Sequence, residues 1–156
     1  ALVKLGLVPY GDIVPMTDAC PTLTFNTIGR HQSRLVRTRV ASNLSPWLAK
    51  TEVGDMHTIA ISHGEGRFVA SDDVLAQLKA NGQIATQYVD EAGVPGMDLD
   101  VNPNGSLLAI EGITSPDGRV FGKMGHSERY SNGTFKNVPG EKDQPLFAAG
   151  VEYFAA

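Results

Sequence analysis

Short apolar segments, separated at close intervals by turn residues, run through most of this sequence and limit what it can fold into. Alternating or β-branched residues predict strands over residues 22–25, 33–40, 57–61 and 84–89. In the second of these segments, Arg37 and Arg39 lie on one face and Val36 and Val40 on the other. One face of that strand is therefore expected to meet water or anions.

A helix is indicated between the third and fourth of these segments. Ser71 can cap it, and Val74, Leu75 and Leu78 form an apolar stripe at helical spacing. Gly82 is expected to end the helix.

A β-hairpin is predicted near the carboxyl terminus. Residues 107–110 and 119–124 flank Ser115-Pro116-Asp117-Gly118, in which Pro at the second and Gly at the fourth position suit a type I turn. Residues 93–105 are rich in Pro, Gly and Asn and are expected to form a loop. Residues 145–154 are expected to close the domain as a short helix.

Composition narrows the functional class. The chain has 156 residues, a length that suits one folded domain, and its formal net charge is −4. Its content of 42% hydrophobic and 19% charged residues argues against disorder. The mild acidity argues against a nucleic-acid partner, and no apolar run is long enough to predict a membrane span. Since Cys20 is the single cysteine, no intrachain disulfide can form. A reducing, cytoplasmic location is expected.

The first residues already follow a helical pattern. Leu2, Val3 and Leu5 share one side of a helix, and Gly6 suits the position just past its end. No Ser, Thr, Asp or Asn precedes them as a cap. The chain is therefore expected to begin inside an element.

Two His-x-Glu pairs are candidates for acid-base chemistry. In an extended loop, residues two apart point to the same side, so Glu65 can orient His63 and Glu128 can orient His126. A carboxylate on one imidazole nitrogen fixes the tautomer, which leaves the other nitrogen free to accept a proton. Both pairs follow apolar strand segments, so position alone does not choose between them, and either pair can equally be a hydrogen-bonded surface loop.

The sequence offers few candidates for the nucleophile or the metal ion with which such a base would act. Cys20 lies between Ala19 and Pro21 rather than in a strand-turn-helix elbow, which favours a structural or incidental thiol, and no G-x-S-x-G elbow is present. The four histidines lack the spacing of a metal site, so no metal is expected. A basic group can bind an anion or be a solvated strand face. It consists of Arg30, His31, Arg34, Arg37 and Arg39.

Six short motifs span almost the whole chain. They are Leu5-Gly6-Leu7-Val8-Pro9-Tyr10-Gly11, Asn26-x-x-x-Arg30-x-x-x-Arg34, Ser62-His63-Gly64-Glu65-Gly66-Arg67, Asn102-Pro103-Asn104-Gly105-Ser106, Ile113-x-Ser115-Pro116-Asp117-Gly118-Arg119-Val120 and Gly125-His126-Ser127-Glu128-Arg129. Each motif is common alone. Together and in this order, they resemble the glutaminase domain of phosphoribosylformylglycinamidine synthase.

The resemblance implies a fold and an activity. The fold is that of a class I glutamine amidotransferase, a flavodoxin-like open α/β sheet flanked by helices, of which residues 1–156 would be the C-terminal portion of a single, N-terminally truncated domain. In this family a Cys-His-Glu triad hydrolyses the side-chain amide of glutamine, and ammonia passes to a synthetase region of the same polypeptide or complex. That region uses ATP and magnesium to convert formylglycinamide ribonucleotide to formylglycinamidine ribonucleotide in de novo purine biosynthesis. This portion would itself need no cofactor.

The resemblance also assigns the acid-base pair. His126 would be the base and Glu128 its orienting partner, which resolves the choice between the two His-x-Glu pairs. Many class I amidotransferases have Pro between these residues, where this chain has Ser127.

Two further groups of residues match family segments near the site. Asn26, Arg30 and Arg34 are expected to bind the substrate carboxylate or to pack against the synthetase. The loop with His63, Glu65 and Arg67 is expected to border the site or an interface.

The nucleophile is expected to lie outside this chain. In the family a G-x-C-x-G-type elbow immediately precedes the segment that matches Ala1-Leu2-Val3-Lys4-Leu5-Gly6-Leu7, and its N–H groups form part of the oxyanion hole. The chain is therefore expected to be active only together with that N-terminal part. The alternative is a non-catalytic, amidotransferase-like domain that serves as a scaffold or interaction surface.

Overall fold

Seven strands and four helices are described in residues 1–155 of this computed structural model. The strands are β1 (Thr22–Thr24), β2 (Gln32–Val40), β3 (Met56–His63), β4 (Arg67–Val69), β5 (Ile84–Tyr88), β6 (Ile110–Thr114) and β7 (Phe121–Lys123). The helices are α1 (Leu2–Leu5), α2 (Leu7–Tyr10), α3 (Asp72–Ala80) and α4 (Leu146–Phe154). None of the helices in that range is long and apolar enough to cross a membrane.

The larger sheet has five strands in the order β3-β2-β5-β6-β7, and each neighbouring pair is antiparallel. The longest pairing joins β2 to β3, from Gln32 opposite His63 to Arg39 opposite Met56. β1 and β4 form a separate antiparallel ribbon. The predicted α/β class is confirmed, with antiparallel pairing throughout residues 1–155.

The backbone after β7 connects the two ends of the larger sheet. Met124 N–H donates to Glu111 O on β6 at 3.1 Å, and His126 N–H donates to Ala60 O on β3 at 2.8 Å. β3 and β7 are the two outer strands of this sheet, so the sheet must curl for one short segment to reach both. We call residues 124–129 the His126 loop. Its position is fixed by backbone hydrogen bonds to two strands.

Apolar side chains fill three clusters around the sheet. The first includes Val8, Phe68 and Leu78 and joins α1, α2 and α3 to the sheet. The second lies between β2, β3 and β5, and the third joins β2 and β5 to α4. Val36 and Val40 are buried while Arg37 and Arg39 are partly exposed, as the alternation in β2 predicts.

Most predicted elements are confirmed. Residues 22–25, 33–40, 57–61 and 84–89 correspond to β1, β2, β3 and β5, and residues 145–154 contain α4. Ser71 caps α3, since its Oγ accepts a hydrogen bond from Val74 N–H at 3.4 Å. Gly82 follows the helix with φ +67°, and Gly6 follows α1 with φ +85°.

The prediction of a strand over residues 107–110 is wrong. Residues Leu107–Ala109 form a 3₁₀ turn in which Leu108 and Ala109 have φ of 52° and 54°, a left-handed conformation that no strand contains. The hairpin itself is present, with β6 beginning at Ile110. The loop expected around residues 62–67 is also shorter, because β3 continues to His63 and β4 begins at Arg67.

Candidate active site

His126 and Glu128 are in contact in the His126 loop. His126 begins the 3₁₀ turn Ser127–Arg129, which folds the chain back so that His126 Nδ1 lies 2.6 Å from Glu128 Oε1. The side chains are 32% and 56% exposed, so both are accessible to a substrate or a partner segment. Because Nδ1–H donates to the carboxylate, Nε2 of a neutral imidazole carries the lone pair. The arrangement can accept a proton at Nε2.

Glu128 is suited to stabilise a positive charge on His126. Burial alone would raise the pKa of Glu128, but the hydrogen bond from His126 and the charge of Arg129 lower it below its ordinary value. Glu128 is therefore an anion at neutral pH. An imidazolium formed at His126 would be stabilised by this carboxylate.

A cleft of about 250 Å³ opens beside Glu128. Trp47, Phe121 and Phe147 contribute apolar surface, and the polar residues that line it are Lys123, Ser127 and Glu128. A mostly apolar cleft with a few polar groups is typical of a small-molecule site.

Two charged side chains that the sequence analysis missed lie behind the His126 loop. Glu111 on β6 is buried, and Lys123 on β7 is 11% exposed at its side chain, with Nζ 4.0 Å from Glu111 Oε1. Burial lowers the pKa of Lys123, while the negative charges of Glu111 and Glu128 oppose that change. The sequence contains one signal that could have identified them, since each is a charged residue in an otherwise apolar strand segment.

His63 lies in a buried polar network, which distinguishes it from His126. Its Nε2 is 3.2 Å from Asn104 Nδ2, which also donates to Gly66 O and to the hydroxyl of Tyr88. Burial lowers the pKa of His63 to about 4, with a further contribution from His31. Within residues 1–155, no hydrogen bond or ion pair joins Glu65 to His63, and Glu65 is exposed. His63 is therefore neutral at physiological pH.

Asn26 belongs to the same network. Its Nδ2 donates to Arg30 O and His63 O, each at 2.9 Å, and its Oδ1 accepts from Gly66 N–H at 3.1 Å. Asn26 is 2% exposed, so its side chain holds the loop between β3 and β4. Arg67, at the end of that loop, is half-buried on β4.

The three arginines of the basic group that lie on β2 contact protein acceptors. Arg34 donates to Asp100 O at 2.7 Å, Arg37 pairs with Glu91 at 2.8 Å, and Arg39 donates to Gly93 O at 3.2 Å. All three acceptors belong to the segment after β5, so these arginines hold that segment against β2. Arg30 and His31 are exposed.

Comparison with known proteins identifies the family of this site. The model of the CobB/CobQ-like glutamine amidotransferase domain matches residues 1–154. The chain belongs to this amidotransferase family. The resemblance noted in the sequence is thereby confirmed.

Several relatives of this amidotransferase are named phosphoribosylformylglycinamidine synthase subunit PurQ. The protein from Aquifex aeolicus is 37% identical over 83% of this chain and 52% of its own length. The one from Methanosarcina barkeri is 34% identical over 84% of this chain and 54% of its own length. The chain thus spans about half the length of the curated relatives it matches.

A solved structure supports the same assignment. The structure described as PurLQS from Thermotoga maritima matches 98% of this chain and 57% of its own chain, with a TM-score of 0.67 and 28% identity. The matched fold therefore includes nearly all of the elements described above.

Cys20 is not bonded to His126 or Glu128 in the described residues. Its Sγ contacts Thr17 N and Oγ1, each at 3.5 Å, and hydrogen bonds from Thr17 and Tyr10 lower its pKa. In the part of the chain that the structure describes, no hydrogen bond joins Cys20 to His126. No group of three or more His, Cys, Asp or Glu side chains within residues 1–155 is arranged as a metal site.

Proposed function

We propose that this chain supplies the acid-base half of a glutaminase site in phosphoribosylformylglycinamidine synthase. The site would hydrolyse the glutamine side-chain amide, and the ammonia would be used to convert formylglycinamide ribonucleotide to formylglycinamidine ribonucleotide. The family match and the PurQ relatives support this assignment. The observation that carries it is the 2.6 Å contact between His126 Nδ1 and Glu128 Oε1.

The proposed chemistry uses His126 twice. His126 Nε2 accepts the proton of a cysteine thiol, whose sulfur attacks the amide carbon of glutamine. His126 returns that proton to the departing nitrogen, so that ammonia leaves and a thioester remains. His126 then takes a proton from water as the water attacks the thioester, and glutamate and the free thiol are released. Glu128 stabilises the imidazolium at each stage.

The thiol is proposed to come from polypeptide outside this chain. Cys20 contacts Thr17 and Tyr10 rather than His126. The matched relatives extend beyond the segment shared with this chain. We place the nucleophile and part of the oxyanion hole in an N-terminal part of the same amidotransferase domain, as the resemblance implies.

The remaining polar residues have proposed roles around this site. The exposed Arg30 and Arg34 would bind the glutamine carboxylate or contact the synthetase region, and Asn26 would hold their segment in place. The loop from His63 to Arg67 would border the site. ATP and magnesium would act in the synthetase region rather than in this portion.

Glutamate release from glutamine tests whether the nucleophile lies in polypeptide outside this chain. The purified 156-residue chain should show no thiol-dependent turnover, whereas the longer polypeptide that contains it should hydrolyse glutamine. Cys20→Ser in the longer polypeptide should leave glutamate release unchanged. Thiol-dependent turnover by the 156-residue chain would contradict the proposal, and absence of glutaminase activity from the longer polypeptide would favour a scaffold.

A further inference from the structure

Both neighbours of His126 in the chain are held by charged side chains, of which Glu111 is fully buried and Lys123 is mostly buried. Gly125 N–H donates to Glu111 Oε1 at 2.5 Å, and Lys123 Nζ donates to Ser127 Oγ at 2.8 Å. These contacts act on the residues directly before and after His126. The histidine itself keeps its imidazole free for Glu128.

The two charged side chains form one network with neutral partners. Thr86 Oγ1 donates to the second carboxylate oxygen of Glu111. Gln144 Oε1 accepts from Lys123 Nζ at 2.5 Å and from Ser127 Oγ at 2.7 Å. The hydrogen-bonding capacity of both charged groups is therefore directed at the His126 loop and at residues that support it.

Fold stability alone does not account for a buried ion pair. Taking both charges out of water costs several kcal/mol per ion, and a well-packed apolar pair of similar volume is often as stable. The Glu111 side chain is fully buried, and its charge is 4.0 Å from that of Lys123. The contacts of the pair with Gly125 and Ser127 give it a second role.

We propose that Glu111 and Lys123 are positioning residues for His126, which hold the Gly125 N–H before it and the Ser127 side chain after it so that Nε2 faces the reacting thiol. This inference rests on the proposed function of His126. Lys123 also lines the cleft beside Glu128, but its Nζ is bonded to Ser127 and Gln144, and Glu111 is fully buried. Each acts through the loop, because its contact is with Gly125 or Ser127.

Because residue 127 is serine rather than proline, the His126 loop needs a restraint from other side chains. A proline at this position would fix its own φ near −65°, whereas serine leaves that angle free. The hydrogen bonds of Ser127 Oγ with Lys123 and Gln144 restrict the same part of the loop. The side-chain network therefore supplies rigidity that a proline ring would otherwise provide.

The first test is Lys123→Met in the intact enzyme, assayed for glutamine hydrolysis. Because a small misplacement of a catalytic group can lower a rate on the order of 10²-fold, we expect kcat to fall roughly 10- to 100-fold with KM for glutamine unchanged. Ammonia-dependent synthesis should be unaffected. The matched control is Lys79→Met on the exposed end of α3, which should keep wild-type kcat.

A double-mutant comparison separates positioning from general structural damage. If Lys123 acts through His126, Lys123→Met should cause no further loss when His126 is already replaced by Ala. An equal loss in both backgrounds, or a rise in KM with kcat unchanged, would overturn the inference. If His126→Ala itself retains glutamine hydrolysis, the proposed function fails instead, so the two failures are distinguishable.

Ser127 provides a second variant that leaves the buried pair intact. Ser127→Ala should lower kcat without a change in KM, even if Lys123→Met folds poorly. Ser127→Pro should restore part of the lost kcat in Lys123→Met, because proline is tolerated at the first residue of a helical turn and would fix the loop directly. Wild-type kcat in Ser127→Ala, or no recovery in Lys123→Met with Ser127→Pro, would contradict the positioning role.

Discussion

The buried imidazole of His63 makes the stability of this protein depend on pH. The folded protein protonates His63 only near its lowered pKa of about 4, whereas the unfolded chain protonates it near 6.5. The unfolded state therefore binds more protons between these values. The contribution of neutral His63 to stability is present above pH 6.5 and is lost progressively as the pH falls toward 4.

His63→Gln removes this titration and should flatten the pH dependence. Between pH 7 and pH 5, we expect the free energy of unfolding to fall about 2 kcal/mol more in the wild type than in the variant. Urea unfolding at the two pH values measures the difference. His31→Gln removes the neighbouring charge that contributes to the lowered pKa, so it should reduce the wild-type slope without abolishing it. Parallel curves for His63→Gln and wild type would show that His63 titrates normally.

The structure distinguishes the two histidines that sequence spacing alone could not distinguish. His63 and His126 have the same His-x-Glu pattern, and both follow strand segments. They differ because Asn104 and Gly66 enclose His63, while the 3₁₀ turn after His126 brings Glu128 into contact. Asn104 comes from a segment 41 residues further along the chain, so the local pattern around His63 contains little sign of its burial.

At the scale of elements, the hairpin between β6 and β7 depends on one glycine. Gly118 N–H donates to Ser115 O at 2.9 Å, and Gly118 has φ +73°. A Cβ atom there would lie 2.5 Å from Leu44 O. The turn is therefore both left-handed at this residue and packed against the backbone of a neighbouring loop.

Gly118→Ala should destabilise the protein by about 3 kcal/mol, since it adds a backbone clash to the conformational cost. Gly29→Ala is the matched control, because Gly29 has φ +68° and a Cβ atom added there would meet no atom within 4 Å. The control should lose only about 1 kcal/mol. Thermal or urea unfolding compares the two variants, and equal losses would mean that the contact with Leu44 relaxes without cost.

Most elements could be predicted because their signals are local. The alternation in β2, the Ser71 cap of α3 and the Pro-Asp-Gly turn each depend on residues close together in the chain. The turn at Leu107–Ala109 could not be predicted from the sequence, since two non-glycine residues adopt positive φ there against their usual preference. The short strand β4 depends on pairing with β1, which the local sequence does not indicate.

In the molecule as a whole, the curl of the sheet determines where the contacting pair of His126 and Glu128 lies. The His126 loop is bonded to β6 through Met124 and to β3 through His126. The buried Glu111 and Lys123 hold the same loop from inside the sheet. The sequence predicted His126 and Glu128 as candidates, but it did not predict this support, because the contributing residues meet only after the sheet curls.

We propose that His126 is the general base of a glutaminase that supplies ammonia to a synthetase. The most direct measurement compares glutamine-dependent and ammonia-dependent formation of formylglycinamidine ribonucleotide by the intact synthase with His126→Ala. We expect the glutamine-dependent rate to fall on the order of 10²–10⁴-fold, as is typical for loss of a general acid-base group, while the rate with added ammonia is unchanged. Equal loss of both rates, or retention of the glutamine-dependent rate, would contradict the assignment of His126.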